Sequence, residues 1–370
     1  MAHIDRFIFI DTTCSLKHNA IKNKAIGASE HQFYNLLKNL AEKKEVFCFN
    51  FNEISEKIDN VNYVNIQEII QFDIKENDII IFQRFFPNDI ILLQKFVNNN
   101  IHIWVHDLTC IDIFIGGNKN LAAQFYEDPS IFKNNILSFF IDKPNINFIF
   151  PSLYAKAIFS HFFANYGYNV HDKRLKVIYN ILYKDEFQNK DENKDEFQNK
   201  DKIDKNKIVF ASAWTKNIND VITVFDYIHS KNNNYKLVLM SPGWDVDKFK
   251  DYEKELQNKY GENIEILGPQ NKESYAKIIK NSLCVLSSTF AETFGCVFTE
   301  SYYLGTPVIA DYRSGSVVEI IGQENIVNYN NLDEVYEKIN NFCEKRDEIK
   351  IELDEKFMMD MNLEKWLELY

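Results

Sequence analysis

Short, wholly apolar runs alternate along this chain with longer stretches whose apolar positions recur every three or four residues. The runs RFIFIDTT (6–13), EVFCFNF (45–51), DIIIFQRF (78–85), IHIWVHDL (101–108) and INFIFPS (146–152) read as buried strands. Between the first two lies GASEHQFYNLLKNLAEK (27–43), whose periodicity is helical. A second set starts afresh at KIVFASAW (207–214) and continues through KLVLMSP (236–242), IEILG (264–268), LCVLSS (283–288), PVIADY (307–312) and NIVNY (325–329). Strands alternating with helices imply parallel sheets, so the pattern predicts an α/β fold with two doubly wound, Rossmann-like domains facing each other across a cleft. Ligand is expected in that cleft.

The boundaries follow from where the pattern lapses. Residues 1–180 form the first predicted domain and 207–345 the second. Between them, 181–206 contains KDEFQNKDEN (184–193) followed by KDEFQNKDKI (194–203), a direct duplication of a polar unit. Its mixed charge and missing apolar period predict a solvated linker, produced by repeat slippage in an insertion-tolerant loop rather than built as a docking motif. Residues 346–370 read as a helical tail. Trp366, Leu367 and Leu369 are its apolar anchors, placed either on its own domain or across on the first.

Composition narrows the class. At 370 residues with 45% hydrophobic and 15% aromatic content, the chain can fill two cores. A net charge of −12 and only five unclustered arginines argue against nucleic acid as a partner. The six cysteines form no C-x-x-C pair, which points to reduced thiols rather than zinc or a disulfide framework. No apolar run is long enough to span a bilayer or serve as a signal peptide, so a cytoplasmic location with at most peripheral membrane contact is expected.

The candidate chemistry is concentrated in STFAETFGCVFTESYYLGTPVIA (288–310), which joins a buried strand to a helix, roughly 296–304, and then to the next strand. Gly295 lets backbone approach a ligand, and the amides opening the helix suit an anion. Glu292 and Glu300 would repel a pyrophosphate. Their natural partners are sugar or ribose hydroxyls, which donate to carboxylate oxygens.

This stretch, with its two glutamates eight positions apart, AETFG, and LGTPVIA, resembles the retaining GT-B glycosyltransferases of family 4, the glycosyl transferases group 1. The resemblance implies that Glu292 holds hydroxyls of the transferred sugar and Glu300 the ribose of a nucleotide. Thr293, Phe294, Gly295, Cys296 and Val297 would offer amides to the diphosphate. Lys216, after the first strand of the second domain, matches a lysine that meets the leaving phosphate. The arginine expected beside it is missing, and Ser212, Ala213 and Trp214 occupy that region. Gly268, at a strand end, would lie along the base.

In the first domain, Gly27, Ala28 and Ser29 follow strand one and could bring backbone donors to a phosphate, though GASE is also an ordinary helix start capped by Ser29. His106, with Asp107, stands just past a buried strand and resembles the family's histidine near the transferred sugar. The string DVD (245–247) sits at a helix start, where capping needs no metal. The resulting expectation is metal-independent, cofactor-free transfer from a nucleotide sugar to a glycan, lipid-linked or small-molecule hydroxyl. A non-catalytic nucleotide-binding scaffold of the same fold is the alternative. An epimerase or phosphorylase on this architecture ranks below both.

Overall fold

The structure is a computed structural model that describes residues 6–12, 28–84, 89–96, 98–106, 143–165, 167, 170–187, 203–241 and 246–369. It divides into two compact units. Unit 1 holds the first strand, Ala28–Ile181 and the last helix, and unit 2 holds Leu182–Met358.

Unit 1 is built on β1 (Arg6–Ile10), α1 (Ala28–Ala41), β2 (Glu45–Asn50), β3 (Glu56–Ile58), β4 (Val61–Asn65), β5 (Ile79–Gln83), α2 (Ile90–Lys95), β6 (Asn100–Trp104), β7 (Ile146–Phe150), α3 (Leu153–Asn165) and β8 (Leu175–Val177). The strands lie in the order β3-β4-β2-β1-β5-β6-β7-β8. All pair parallel except β3, which turns back on β4 through Asp59 and Asn60, both at positive φ as a tight hairpin turn requires. The order reverses between β1 and β5, the place where open α/β sheets put ligands.

The two sheet faces are covered by different apolar sets. Ile8, Ile10, Phe82 and Phe150 join Phe159 and Phe163 of α3 in one core. On the other face Phe9 meets Phe33 of α1 at 5.6 Å, edge to face. α1 buries Phe33, Leu36, Leu37 and Leu40 along one stripe, each contributing about 1.5–3 kcal/mol of burial. At the foot of β1 the Arg6 guanidinium donates to both carboxylate oxygens of Asp78, at 2.9 and 2.6 Å, and the Lys75 amide donates to the same carboxylate. This buried pair ties the start of β1 to the turn before β5.

Unit 2 comprises β9 (Asp204–Ala211), α4 (Ile218–Lys231), β10 (Lys236–Met240), α5 (Val246–Tyr260), β11 (Ile264–Leu267), α6 (Lys272–Lys280), β12 (Ser282–Ser287), α7 (Cys296–Tyr303), β13 (Val308–Asp311), α8 (Val318–Ile321), β14 (Ile326–Val327) and α9 (Leu332–Lys345). Its six strands run in the order β11-β10-β9-β12-β13-β14, all parallel, with the reversal between β9 and β12. α4 buries Val221, Val224, Phe225 and Ile228, and α9 buries Val335, Ile339 and Phe342, in a common core with Phe210 and Leu286.

Within the stretch expected to be linker, residues 182–187 are ordered parts of unit 2. The Leu182 amide donates to the Phe357 carbonyl at 3.0 Å, and a 3-10 turn covers Lys184–Phe187. The rest of the duplication, 188–202, lies outside the described residues. The last helix, α10 (Met359–Leu367), belongs to unit 1. Its Trp366 is buried against Trp104 at 4.7 Å and Phe9 at 6.3 Å, so α1 and α10 share one face of the first sheet. Leu369 is buried as well, whereas Leu367 is only half-buried.

Candidate functional site

The carboxyl ends of β9 and β12 flank the reversal point of the second sheet, and the loops leaving them are stitched together. The Ser288 hydroxyl donates to the Asn217 carbonyl at 2.8 Å, and the Asn217 side-chain amide donates back to the Ser288 carbonyl at 3.2 Å. Asn217 is left-handed, with φ 61°, which turns the chain directly into α4. These bonds fix Lys216 relative to the loop carrying Glu292, and Lys216 Nζ donates to Glu292 Oε2 at 2.7 Å.

The Glu292 backbone is held from a third loop. Its carbonyl accepts the Ser316 amide at 2.9 Å and the Ser316 hydroxyl at 2.8 Å, while the Ala291 amide donates to the Arg313 carbonyl at 3.0 Å. Ala291 is left-handed at φ 49°, an unfavourable conformation for a residue with a Cβ. Gly295 follows at φ +84°, where a Cβ would stand 2.4 Å from the Phe298 ring and 3.2 Å from Glu292 Cγ. Only glycine fits there, and the contact shows that the Glu292 side chain folds alongside the start of α7.

Four residues beyond Cys296 on α7 stands Glu300, on the same helix face and one turn from its amino end. Its partner is Lys272, the first residue of α6, whose Nζ donates to Glu300 Oε1 at 2.6 Å. Each carboxylate is mostly shielded, at 13% side-chain exposure, and each has its own lysine. Burial pulls both ammonium groups down, but the facing carboxylates, Glu292 for Lys216 and Glu300 for Lys272, outweigh it and hold both lysines charged. The Tyr275 phenol beside Glu300 is pushed well up, by burial first and by that carboxylate second, and so is neutral.

Of the other residues expected in the site, Thr293, Phe294, Gly295, Cys296 and Val297 form the turn into α7. The Phe294 ring lies in the core, 5.7 Å from Phe357, so only its backbone is available to a ligand. Gly268 is exposed just past β11, and its carbonyl accepts from Gln270 at 3.0 Å. Ser212 is half-buried at the end of β9. Beside it Trp214 is buried and packs on Phe249 at 5.5 Å, so the position where an arginine was expected is structural. Arg313 reaches this region, yet its guanidinium is engaged by Asp311 at 2.5 Å and Asp220 at 3.0 Å and lies over the Phe290 ring.

The remaining candidates are in unit 1. His106 is buried just beyond β6 with its ring 3.9 Å from that of Trp104, and burial, aided by the Arg84 charge, pushes its imidazole well below the usual value, so it is neutral. The helix starts at Ala28, which places Ser29 inside the first turn rather than at the cap. The Ser29 hydroxyl accepts from Arg84 at 2.6 Å and Glu30 Oε1 accepts from the same guanidinium at 3.1 Å. Gly27, Asp107 and residues 242–245, including the first Asp of DVD, lie outside the described residues.

Two residues were not singled out from the sequence. Lys272 follows the loop at Gly268, and only the fold shows that it faces Glu300. Arg84, left-handed at φ 66° immediately past β5, does carry a signal, because it stands at a strand's carboxyl end as His106 does.

Comparison with known proteins bears on the family and the fold. Residues 191–357 match the family model for glycosyl transferases group 1. No curated protein sequence matches the chain. Among solved structures, WaaG, a glycosyltransferase involved in lipopolysaccharide biosynthesis, is similar over 99% of both chains at 12% identity and a TM-score of 0.66. Anabaena HepE in complex with UDP-glucose is similar over 98% of this chain and 94% of its own, at 12% identity and a TM-score of 0.61. TarM is matched over 82% of this chain at 18% identity and a TM-score of 0.54, and the chain spans 56% of TarM's length. At such identities the likeness establishes the fold, which is GT-B.

Proposed function

We propose that this chain, which belongs to the glycosyl transferases group 1 through residues 191–357, transfers a sugar from a nucleotide sugar to a hydroxyl acceptor with retention of anomeric configuration and without a metal. The observation that carries the reading is the pair of shielded carboxylates, Glu292 and Glu300, each bound to its own lysine on either side of the Gly295 turn. Glu300 accepts ribose hydroxyls, Glu292 accepts hydroxyls of the transferred sugar, and the turn Thr293–Val297 faces amides to the diphosphate. HepE was solved with UDP-glucose, which favours a nucleotide sugar as the donor class here.

As the glycosidic bond breaks, negative charge grows on the departing phosphate, and Lys216 stands where a cation lowers that cost. The departing phosphate oxygen takes the proton of the incoming hydroxyl on the same face of the sugar. The new bond therefore forms on the face from which the old one leaves, and no protein nucleophile is needed. Ala28 and Ser29 of unit 1 are assigned as backbone donors to a phosphate of the donor, and the neutral His106 is assigned to the transferred sugar, donating a hydrogen bond rather than charge. The acceptor is a glycan, a lipid-linked or a small-molecule hydroxyl. Among the described residues no helix is long and apolar enough to cross a membrane, and a cytoplasmic enzyme with at most peripheral membrane contact fits the composition.

The test is thermal stabilisation by UDP, GDP, ADP and their sugars, followed by transfer assays with the donor that binds and NMR assignment of the product anomer. Stabilisation by one base, lost in Glu300→Ala, supports the donor site. An inverted product refutes the retaining mechanism. The buried Trp214 where a cationic arginine was expected favours one second reading, a nucleotide-binding protein that does not catalyse transfer. Binding without transfer or donor hydrolysis would select it.

A further inference from the structure

The duplicated unit has no role in the mechanism above, yet its first copy touches the candidate site. Within unit 2, the Glu186 carboxylate lies 3.7 Å from Lys272 Nζ, and the Phe187 ring lies 4.8 Å beneath the same ammonium. The Tyr275 ring is 5.4 Å from the ammonium, and Phe187 also packs on Tyr303 of α7 at 5.6 Å. The Glu186 amide donates to the Tyr183 carbonyl, and Leu182 pairs with the segment at Phe357 and Met358, so the strap is anchored at its start.

This arrangement gives Lys272 two carboxylates and a fixed aromatic bed. A flexible lysine loses much rotamer freedom when ordered, and cation–π contact with a carboxylate at either hand offsets that loss. In the present state the ammonium takes Glu300 Oε1, one of the two oxygens a ribose diol would use. A shift of the ammonium towards Glu186 frees that oxygen without leaving the Phe187 ring. The groups facing Glu300 are thus Lys272 and Tyr275 from α6, Cys296 on its own helix and, through Lys272, Glu186 of the strap.

We propose that Glu186 and Phe187 are positioning residues of the donor site: they carry Lys272 between Glu300 and Glu186, so that Glu300 is released to the ribose of an incoming nucleotide. This rests on the donor-site reading above. The sequence KDEF recurs at 194–197, and a second copy could substitute for the first, which sets the design of the test.

Dissociation constants for UDP, GDP and ADP are measured by calorimetry for the full chain and for a chain lacking 194–203, which keeps the strap and should bind equally well. In that shortened background, Glu186→Gln and Phe187→Ala should each weaken binding about tenfold, with the melting temperature of the unliganded protein unchanged. Once Lys272→Met has removed the ammonium that the strap positions, Glu186→Gln and Phe187→Ala should have no further effect on binding, whereas in Lys272→Arg, which keeps the charge and the aromatic contact, both should still weaken it. Unaltered binding in Glu186→Gln and Phe187→Ala, with binding lost in Glu300→Ala, overturns the strap's role and leaves the donor site standing. Persistence of the tenfold losses in the Lys272→Met background also overturns it, because Glu186 and Phe187 would then act on binding without Lys272. Failure of the full chain to bind any of the three nucleotides overturns both readings.

Discussion

Lys216 Nζ donates to Glu292 Oε2 at 2.7 Å, and this one contact joins the loops that leave the two central strands of the second sheet. Both residues are assigned to the transferred sugar and its leaving group, so they should separate from Glu300 kinetically. Glu292→Ala should lower kcat by about 100-fold, the scale of losing one charge-stabilising contact in the transition state, with little change in nucleotide affinity. Glu300→Ala should mainly raise the donor KM. Steady-state kinetics on both variants checks this, and equal effects on both parameters would contradict the division of roles.

Gly295→Ala tests the turn itself. The added Cβ would meet the Phe298 ring at 2.4 Å in a backbone conformation that alanine avoids. The substitution should cost more than about 1 kcal/mol of stability and weaken nucleotide binding, because α7 and Glu292 both shift. Melting temperature and nucleotide titration on the same sample separate the two effects.

In unit 1 the Arg6–Asp78 pair sits where neither side chain has water to fall back on. Asp78→Ala leaves the guanidinium with the Asp73 carbonyl as acceptor but without its paired carboxylate, and should destabilise by about 3 kcal/mol, the lower end for a broken buried pair. Removing both partners together, Arg6→Met with Asp78→Leu, should cost much less than the single change. Urea unfolding of the three proteins measures the difference.

Two buried histidines make unit 1 acid-sensitive. Burial, with a smaller contribution from Lys176, pushes His102 down to about 3, and burial with Arg84 pushes His106 well below its usual value. Both are neutral when folded and gain protons only when unfolded once the pH falls below about 6.5, so stability is lost from there downward through the folded values. The melting temperature should decline between pH 6.5 and 4, more shallowly in His102→Gln. Between pH 6.5 and 8 no histidine of this pair should appear in the rate profile.

Most sheet strands were legible because their apolar runs are bounded by turn formers, and the two sets predicted two sheets. The strands that escaped are β3, β4 and β8. β4 reads VNYVN, in which only Val61 and Tyr63 are buried while asparagines hide the period, and β3 and β8 are three-residue edge strands, too short to show a period. The carboxylates of the candidate site stood out because one continuous loop and helix carry both. Lys272 and Glu186 did not, since their meeting with Glu300 depends on how α6 and the strap pack on α7, which no local pattern encodes. Trp366 was recognised as an anchor, but its destination on Trp104 is a long-range contact.

That destination has a consequence for assembly. The sheet face that Trp366 covers belongs to strands made early in synthesis, whereas α10 emerges only after all of Leu182–Met358. Unit 1 therefore leaves the ribosome with Phe9 and Trp104 covered only in part, by Phe33 of α1, while unit 2 can form its own core without waiting for α10. The nascent chain carries a partly exposed aromatic face for as long as unit 2 takes to be made. It is then that chaperones would be expected to bind it, and that a stalled or truncated chain would be prone to aggregate.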